Sequence, residues 1–256
     1  MELDFDYLIK RHKDLLDNNK TINSDNDNTS QNKQYDFIQS ILQMLNDIDS
    51  SFEFCNSSLK QIKNLPCEDW ISRVDLTNDK FVLYTYSFFT TILYTIIDQL
   101  LLLINRVSIS EMNQKYVNYK SLQKIIDKKY DKLKLNLETL FNNTNEIARK
   151  RHEFIHHGQL RKSPILSTVH QMKPVFFVFK VSENQIAEIY EEAYNELIKL
   201  MEAEYNSIKE TTTRIKKSLI EVYEDKLEKI MGIHLPTEDE IISTCEALTY
   251  FDKEKK

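Results

Sequence analysis

The sequence predicts an all-α protein, and three observations support this fold class. Only two of the 256 residues are glycine, Gly158 and Gly232, and only four are proline. Sheets need glycine at turns and bulges, so a chain this poor in glycine is expected to be helical. Apolar residues recur with a helical period in several long segments. Sequence patterns typical of helix N-termini also occur, at 143–146 and 182–185.

Composition and charge limit the classes of function. The chain has 41% hydrophobic and 29% charged residues, which is typical of a soluble globular protein. With so few glycines, a P-loop, a dinucleotide-binding turn and a nucleophile elbow are all excluded. The formal net charge of −6 does not attract nucleic acid or an anionic membrane, so any RNA contact needs a local basic patch. The three cysteines do not have metal-ligand spacing, and the first residues do not have a signal-peptide pattern. Both observations predict a cytoplasmic protein.

The chain is predicted to have three parts. Residues 1–78 form an N-terminal helical extension that contains a polar, mobile loop at 17–33. Residues 79–232 form the main helical domain, and residues 233–256 form a short helix with a charged tail. No internal repeat is present, so we expect one domain with appendages.

Residues 81–104 are the most apolar segment of the chain and contain one formal charge, Asp98. A segment of this length could span a membrane. However, polar residues recur on one helical face, at Ser87, Thr91, Thr95, Asp98 and Asn105. Such a stripe favours a central helix of a soluble bundle, with no membrane contact, whose polar face lines a wet cleft. Asp98 and Asn105 are therefore candidate cleft-lining residues.

The second half of the main domain is predicted to contain three helices. One covers residues 121–142, and a second begins at the capping pattern 143–146 and ends at Gly158. The run 174–180 is the only β-like segment. A long helix then extends from the second capping pattern to Gly232, with a break expected at the three β-branched threonines 211–213.

The segment 149–158, Arg-Lys-Arg-His-Glu-Phe-Ile-His-His-Gly, carries the most reactive chemistry in the chain. It contains half of the six histidines beside three basic residues. One interpretation is a zinc site, because His152, Glu153 and His156 have the spacing of a zinc hydrolase helix. The neighbouring cations oppose a divalent metal, and Gly158 ends the helix soon after the second histidine. Another interpretation needs no function, because basic residues near a helix C-terminus interact favourably with the helix dipole.

The third interpretation is RNA cleavage, which this segment can carry out without a metal or another cofactor. Arg151 provides a fixed cation, and His156 provides a group that exchanges protons near neutral pH. RNA contains its own nucleophile, the 2′-hydroxyl, so a base and a cation beside the phosphate are sufficient. We therefore predict that Arg151 and His156 are the catalytic residues.

The pattern Arg151-His152-x-x-x-His156 resembles the active-site signature of HEPN domains, which are all-helical. The resemblance implies a helical bundle with a long helix after the motif helix. It also implies a metal-independent endoribonuclease that acts on RNA as a homodimer, with two motifs facing one composite cleft. Family members occur in toxin–antitoxin and antiviral defence systems, so an antitoxin or another regulatory partner is a further expectation. Some members only bind RNA or act as scaffolds, and this alternative remains open.

Helix geometry complicates the assignment, because five helical positions rotate by about 140°. Arg151 and His156 therefore do not share a face of an ideal helix. Unwinding of the helix end, a second subunit, or a contribution from Arg149 would each resolve this. The supporting residues are predicted to be His152, Arg149, Glu153 and His157. The predicted RNA-binding patch consists of Lys150, Arg161 and Lys162.

Overall fold

The computed structural model describes residues 4–22, 28–64, 78–108, 110–157 and 182–231. Helices account for 91% of these residues, and none of them is in a strand. The helices are α1 (Phe5–Ile22), α2 (Asn28–Asn64), α3 (Asn78–Val107), α4 (Tyr119–Ile125), α5 (Asp131–His157) and α6 (Glu183–Met231), with one 3-10 turn at Gln114–Tyr116. The predicted all-α class is confirmed, and a long helix follows the motif helix α5. The predicted β-like run 174–180 and the C-terminal part 233–256 lie outside the described residues.

Helix α3 lies at the centre of the bundle and packs against α2, α4, α5 and α6. Its apolar residues Leu93, Ile96 and Leu100 are fully buried. The hydroxyl groups of Ser87, Thr91 and Thr95 donate to carbonyl oxygens of the preceding turn, so they are satisfied inside the helix. The segment Phe81–Val107 has the length and apolarity that would also allow it to cross a membrane. Half of the most apolar stretch of this segment is buried by the other helices, which is consistent with the predicted central helix.

The loop predicted at 17–33 is mostly helical, which corrects that prediction. Helix α1 continues to Ile22, and α2 already begins at Asn28. The polar composition indicated a loop because nothing in this stretch can be buried. Buried apolar residues elsewhere in α1 and α2, such as Phe5 and Phe37, anchor both helices, and extending an existing helix costs little.

The predicted division at residue 78 remains a prediction about chain organisation. Buried residues from both sides of it form one hydrophobic cluster. In this cluster, the rings of Phe5 and Phe37 lie 5.9 Å and 6.1 Å from the ring of Tyr223 on α6. The N-terminal helices therefore pack directly on the central bundle.

The boundary between α4 and α5 differs from the prediction, which placed one helix at 121–142 and a new start at 143. Asn118 caps α4, because its Oδ1 accepts the Ser121 N–H at 3.0 Å while Ser121 Oγ accepts the Asn118 N–H at 2.9 Å. Helix α5 then runs without interruption through 143–146. Asn143 donates instead from Nδ2 to Ser207 Oγ on α6, at 3.1 Å. A residue that resembled a helix cap is used for packing between helices.

Helix α6 begins as predicted but does not break where predicted. Gln185 Oε1 accepts the Ser182 N–H at 3.2 Å, and Ser182 Oγ accepts the Gln185 N–H at 3.4 Å, which confirms the capping box. The break predicted at 211–213 is wrong, because the helix is continuous to Met231. The hydroxyl group of each of these threonines donates to the carbonyl oxygen four residues earlier. Thr211 and Thr212 are also buried, so packing outweighs their low helix propensity.

Candidate nucleic-acid site

The motif segment occupies the last part of α5, which remains helical to His157. The side chains of residues 149–152 are described. Those of Glu153, His156 and His157 lie outside the described part of the structure, as do all atoms of Arg161 and Lys162. No unwinding brings positions 151 and 156 together, so they remain offset by about 140° around the axis of α5.

Arg151 is half-buried against α3. Its guanidinium carbon lies 4.5 Å from the centre of the Tyr94 ring, which is the geometry of a cation–π contact. Its Nε is buried and has no hydrogen-bond partner within the described residues. Besides this aromatic face, a carboxylate of α3 also lies near the cation.

The carboxylate belongs to Asp98, one turn beyond Tyr94 on α3. Partial burial raises the pKa of Asp98, and the positive charge of Arg151 opposes this rise. Partial burial also raises the pKa of the Tyr94 hydroxyl, with a further increase from the negative charge of Asp98. Arg151 and Asp98 thus attract each other, and among the described residues no hydrogen bond joins them, so the guanidinium retains donors for a ligand.

An open groove of about 370 Å³ begins beside these residues and runs between α3, α4 and α5. Its apolar lining includes Ile97, Leu101, Val117, Leu137, Leu140 and Ala148. Its aromatic lining consists of Tyr94, Tyr119 and Phe141. Its polar lining consists of Asp98, Asn118, Lys120, Thr144 and Asn145. This combination of apolar surface and a few polar groups is typical of a ligand site.

The register of α5 places the motif at one end of this groove. One stripe of the helix lines the groove with residues at alternating spacings of four and three, namely Leu137, Phe141, Thr144 and Ala148. The next position of that stripe is Arg151. A second stripe begins at the groove residue Asn145 and continues through Arg149 and His152 to position 156. The two predicted catalytic positions therefore continue two different stripes of α5, which are about 140° apart around the helix axis at positions 151 and 156.

Comparison with known protein families identifies the family to which the chain belongs. A family model described as Cthe2314-like HEPN matches residues 37–227, which is more than half of the chain. The chain belongs to the HEPN family. This membership places it in a superfamily of ribonucleases and RNA-binding domains, whose members are often dimeric. Searches of curated proteins and of solved structures found no match.

Lys150 is buried in this HEPN domain, which argues against its predicted place in an RNA-binding patch. Its side chain is buried, and its Nζ donates to Glu204 Oε1 on α6 at 2.6 Å. The ammonium also lies 5.7 Å from the centre of the Tyr86 ring. Burial tends to lower the pKa of Lys150, but the carboxylate of Glu204 raises it overall, so the lysine stays charged. Its position one residue before Arg151 turns it by about 100°, toward the core.

Asn105, the other predicted cleft residue, does not line the groove of this HEPN domain. It is buried, and its Nδ2 donates to the Met112 carbonyl oxygen at 2.9 Å. Its Oδ1 accepts the Met112 N–H at 3.0 Å. The donor and the acceptor of the amide are therefore both used to hold the chain that follows α3. Asn105 is therefore a structural residue of the loop that leads to α4.

The zinc interpretation depends on two side chains, those of Glu153 and His156, that are not described. His152 is exposed on α5. Among the described side chains, no three histidine, cysteine, aspartate or glutamate residues come together as a metal site would require.

Sequence reasoning missed the groove that adjoins the HEPN motif. The sequence prediction does not include Tyr94, Tyr119, Phe141 or Asn145 among the site residues. The signal was present in the sequence, because stepping back from Arg151 by three and four residues along α5 reaches Phe141. The contribution of α4 could not be found in this way, since it depends on how three separate helices pack.

Proposed function

We propose that this HEPN protein is a metal-independent endoribonuclease that cleaves RNA by 2′-hydroxyl transesterification, with Arg151 and His156 as catalytic residues. The observation that supports it best is the placement of Arg151. This cation lies over Tyr94 and beside Asp98, two residues that line the open groove, whereas the neighbouring Lys150 is paired with Glu204 in the core. A guanidinium beside a partly apolar groove is suited to bind a phosphate.

In the proposed reaction, neutral His156 removes the proton from the 2′-hydroxyl group. The 2′-oxygen then forms a bond to the adjacent phosphorus, and the bond from phosphorus to the 5′-oxygen breaks. Arg151 stabilises the negative charge that develops on the phosphoryl oxygens. A protonated histidine side chain then protonates the departing 5′-oxygen. The products are therefore a 2′,3′-cyclic phosphate and a 5′-hydroxyl group.

We propose that the site is composite and forms in a homodimer. Because α5 is unbroken to His157, positions 151 and 156 of one chain lie on different sides of the helix. A two-fold axis near the end of α5 would bring Arg151 of one subunit close to His156 of the partner subunit, twice in each dimer. The proposed setting is the cytoplasm, in a toxin or antiviral defence system with an antitoxin or another regulatory partner.

The test is RNA cleavage by the purified full chain in the presence of EDTA. We expect cleavage to persist and to leave cyclic phosphate ends, since no step uses a metal. Arg151→Ala and His156→Ala should each reduce the rate by about a hundredfold or more, the typical contribution of such groups. Arg214→Ala, an exposed arginine on α6, serves as the control and should keep the wild-type rate. Loss of activity with EDTA that zinc restores would support the zinc hydrolase instead.

Mixing two inactive variants tests the composite site. A heterodimer of the Arg151→Ala and His156→Ala proteins contains one site in which both residues are intact. Random mixing should therefore restore about a quarter of the wild-type activity, since half of the dimers carry one good site of two. A mixture that stays inactive while the subunits exchange would contradict a shared site. RNA binding without cleavage by the wild-type protein would instead identify a silent RNA-binding domain or scaffold.

A further inference from the structure

We propose that the groove between α3, α4 and α5 holds one unstacked base of the RNA beside Arg151, and that it prefers bases with an exocyclic amino group. This inference rests on the proposed function, because it concerns the nucleotide next to the phosphate that is cleaved. It assigns substrate recognition to residues outside the Arg151–His156 motif.

The size and floor of the groove fit a single base. Its volume of about 370 Å³ is sufficient for a nucleoside but not for a base pair with its backbone. The floor is formed by aliphatic side chains of α3 and α5, including Ile97 and Leu137. Such a surface favours an aromatic ring system over a fully hydrated ligand. A base that has left its helical stack has an exposed ring of this kind.

Aromatic rings provide a stacking surface on the wall of the groove. The rings of Tyr119 on α4 and Phe141 on α5 are stacked, with centroids 4.2 Å apart and an angle of 11° between their planes. Both rings are only partly buried, and both line the groove. Proteins that bind single-stranded RNA use exposed rings in this way, because every base has a face that can stack. Tyr94 adds a third ring next to Arg151.

Three polar side chains of the groove remain available to a ligand. Asn118 is occupied in the cap of α4, and Thr144 Oγ1 donates to the Phe141 carbonyl oxygen at 3.0 Å. In contrast, the side chains of Asp98, Lys120 and Asn145 form no hydrogen bond or ion pair within the described residues. These three groups can supply, respectively, an acceptor, a cation, and a combined donor and acceptor.

The chemistry of these groups explains the expected preference. The carboxylate of Asp98 only accepts hydrogen bonds, so it suits the amino groups of adenine, cytosine and guanine. Uracil carries two carbonyl oxygens and no amino group, and an oxygen facing Asp98 would be repelled. The amide of Asn145 can accept a hydrogen bond from such an amino group and donate one to the ring nitrogen beside it. Lys120 can bind a neighbouring phosphate without reading the base.

The experiment uses the full-length His156→Ala protein, which leaves the groove unchanged and should not cleave its ligand. Affinities are measured for hexaadenylate, hexacytidylate and hexauridylate by fluorescence anisotropy, and for AMP, CMP and UMP by calorimetry. We expect the adenylate and cytidylate hexamers to bind about tenfold more tightly than hexauridylate. Each hexamer should also bind more tightly than its monophosphate, because Lys120 and Arg151 contact further phosphates. Equal affinity for all three hexamers, or binding of free monophosphates alone, would overturn the proposal.

Variants then test the assigned residues. Asp98→Asn should remove the discrimination against hexauridylate, because an amide offers a donor as well as an acceptor. Asn145→Ala should weaken hexaadenylate binding about tenfold, while Asn142→Ala on the exposed side of α5 should bind as the parent does. Tyr119→Leu should weaken binding of all hexamers by a similar factor, with thermal melting to verify the fold. Normal affinity and selectivity in both Asp98→Asn and Asn145→Ala would refute the site.

This inference and the proposed nuclease activity fail in different ways. If the wild-type protein does not cleave RNA but binds hexamers with the predicted preference, the nuclease proposal fails and the base site is supported. If the protein cleaves RNA with no base preference, and Asn145→Ala cleaves normally, the base site is refuted and the nuclease proposal stands.

Discussion

The guanidinium of Arg151 on α5 lies over the ring of Tyr94 on α3, with its carbon 4.5 Å from the ring centre. This contact joins the motif helix to the central helix of the bundle. It also restricts the orientation of a long side chain that would otherwise lose considerable conformational entropy on binding a phosphate. Tyr94 is therefore a positioning residue for Arg151 in the proposed reaction.

Replacing Tyr94 tests this role. Tyr94→Leu should lower the RNA cleavage rate roughly two- to tenfold, because a cation–π contact at such a site contributes about 0.5–1 kcal/mol or somewhat more. Tyr94→Phe keeps the ring and should cleave at nearly the wild-type rate. Tyr84→Leu removes an exposed ring of the same helix and serves as the control. If Tyr94→Phe were as slow as Tyr94→Leu, the hydroxyl group rather than the ring would be responsible.

Lys150 should contribute to stability and not to RNA binding. Lys150→Ala removes the cation of the largely buried Lys150–Glu204 ion pair, so the free energy of unfolding should fall by about 3 kcal/mol, measured by urea denaturation. Lys63→Ala breaks the exposed pair with Glu202 and should cost less than about 1 kcal/mol. The salt dependence of RNA affinity should be the same for Lys150→Ala and the wild type. A reduced salt dependence with unchanged stability would restore Lys150 to the basic patch.

The contrast between Lys150 and Arg151 shows what the sequence could and could not predict. The basic segment 149–151 is evident in the sequence, and the prediction directed both Lys150 and Arg151 toward RNA, as a patch residue and as a catalytic residue. Consecutive helical positions are rotated by about 100°, so these side chains point toward different neighbours. The apolar period also predicted the central helix and the long final helix, since burial of one face requires that pattern. Which basic residue faces the core depends on the partner helix, and the sequence of α5 alone does not contain that information.

The mistaken helix boundaries have the same physical origin. Local patterns at 143–146 and 211–213 indicated a helix start and a helix break. In the folded chain, Asn143 bonds to Ser207 on α6, and the buried Thr211 bonds to a carbonyl oxygen of its own helix. A tertiary contact thus supplies the partner of Asn143, whereas burial and a hydrogen bond within α6 keep Thr211 helical. The capping box at Ser182 was predicted correctly because both of its members lie within four residues of each other.

His12 should make the stability of the protein dependent on pH. Its Nδ1 lies 2.9 Å from the Tyr223 hydroxyl oxygen, and burial, assisted by the charge of Arg11, lowers the pKa of His12 to about 4. In the unfolded chain the pKa is near its ordinary value of 6.5. Between these values only the unfolded state binds the proton, so the stabilising contribution of neutral His12 is present above about pH 6.5. It is lost as the pH falls from 6.5 toward 4.

The comparison of wild type with His12→Phe isolates this effect, because the variant keeps an aromatic ring against Tyr223 but cannot be protonated. Urea unfolding at pH 7.5 and pH 4.5 gives the two free energies for each protein. Relative to the variant, the wild type should lose on the order of 2 kcal/mol at the lower pH, a value reduced for the partial exposure of the ring. An equal loss in both proteins would show that His12 is not the group responsible.

Lys226 on α6 holds the C-terminal end of α3 and the start of the loop that leads to α4. Its Nζ donates to the carbonyl oxygens of Arg106 and Ser108, at 2.5 Å and 2.9 Å, and so satisfies the C-terminal end of α3. The ammonium also lies 4.8 Å from the centre of the Phe37 ring. Burial lowers the pKa of Lys226, although the nearby Glu111 partly compensates. The residues that follow this point lead to α4, which forms one wall of the groove.

Lys226→Met should therefore lower the stability of the bundle and loosen the loop that leads to α4. The loss of two hydrogen bonds to carbonyl oxygens, one of them buried, should lower the free energy of unfolding by about 2–3 kcal/mol, measured with urea. Amide hydrogen exchange in residues 108–118 should become faster, since Lys226 links α6 directly to Ser108 at the start of this loop and lies close to Glu111. Lys199 is an exposed lysine of the same helix and serves as the control. Lys199→Met should change the free energy of unfolding by no more than about 0.5 kcal/mol and should leave amide exchange in the loop unchanged. Faster exchange without loss of global stability would mean that Lys226 acts only on the loop, whereas unchanged exchange would mean that the Asn105 amide alone is sufficient to hold it.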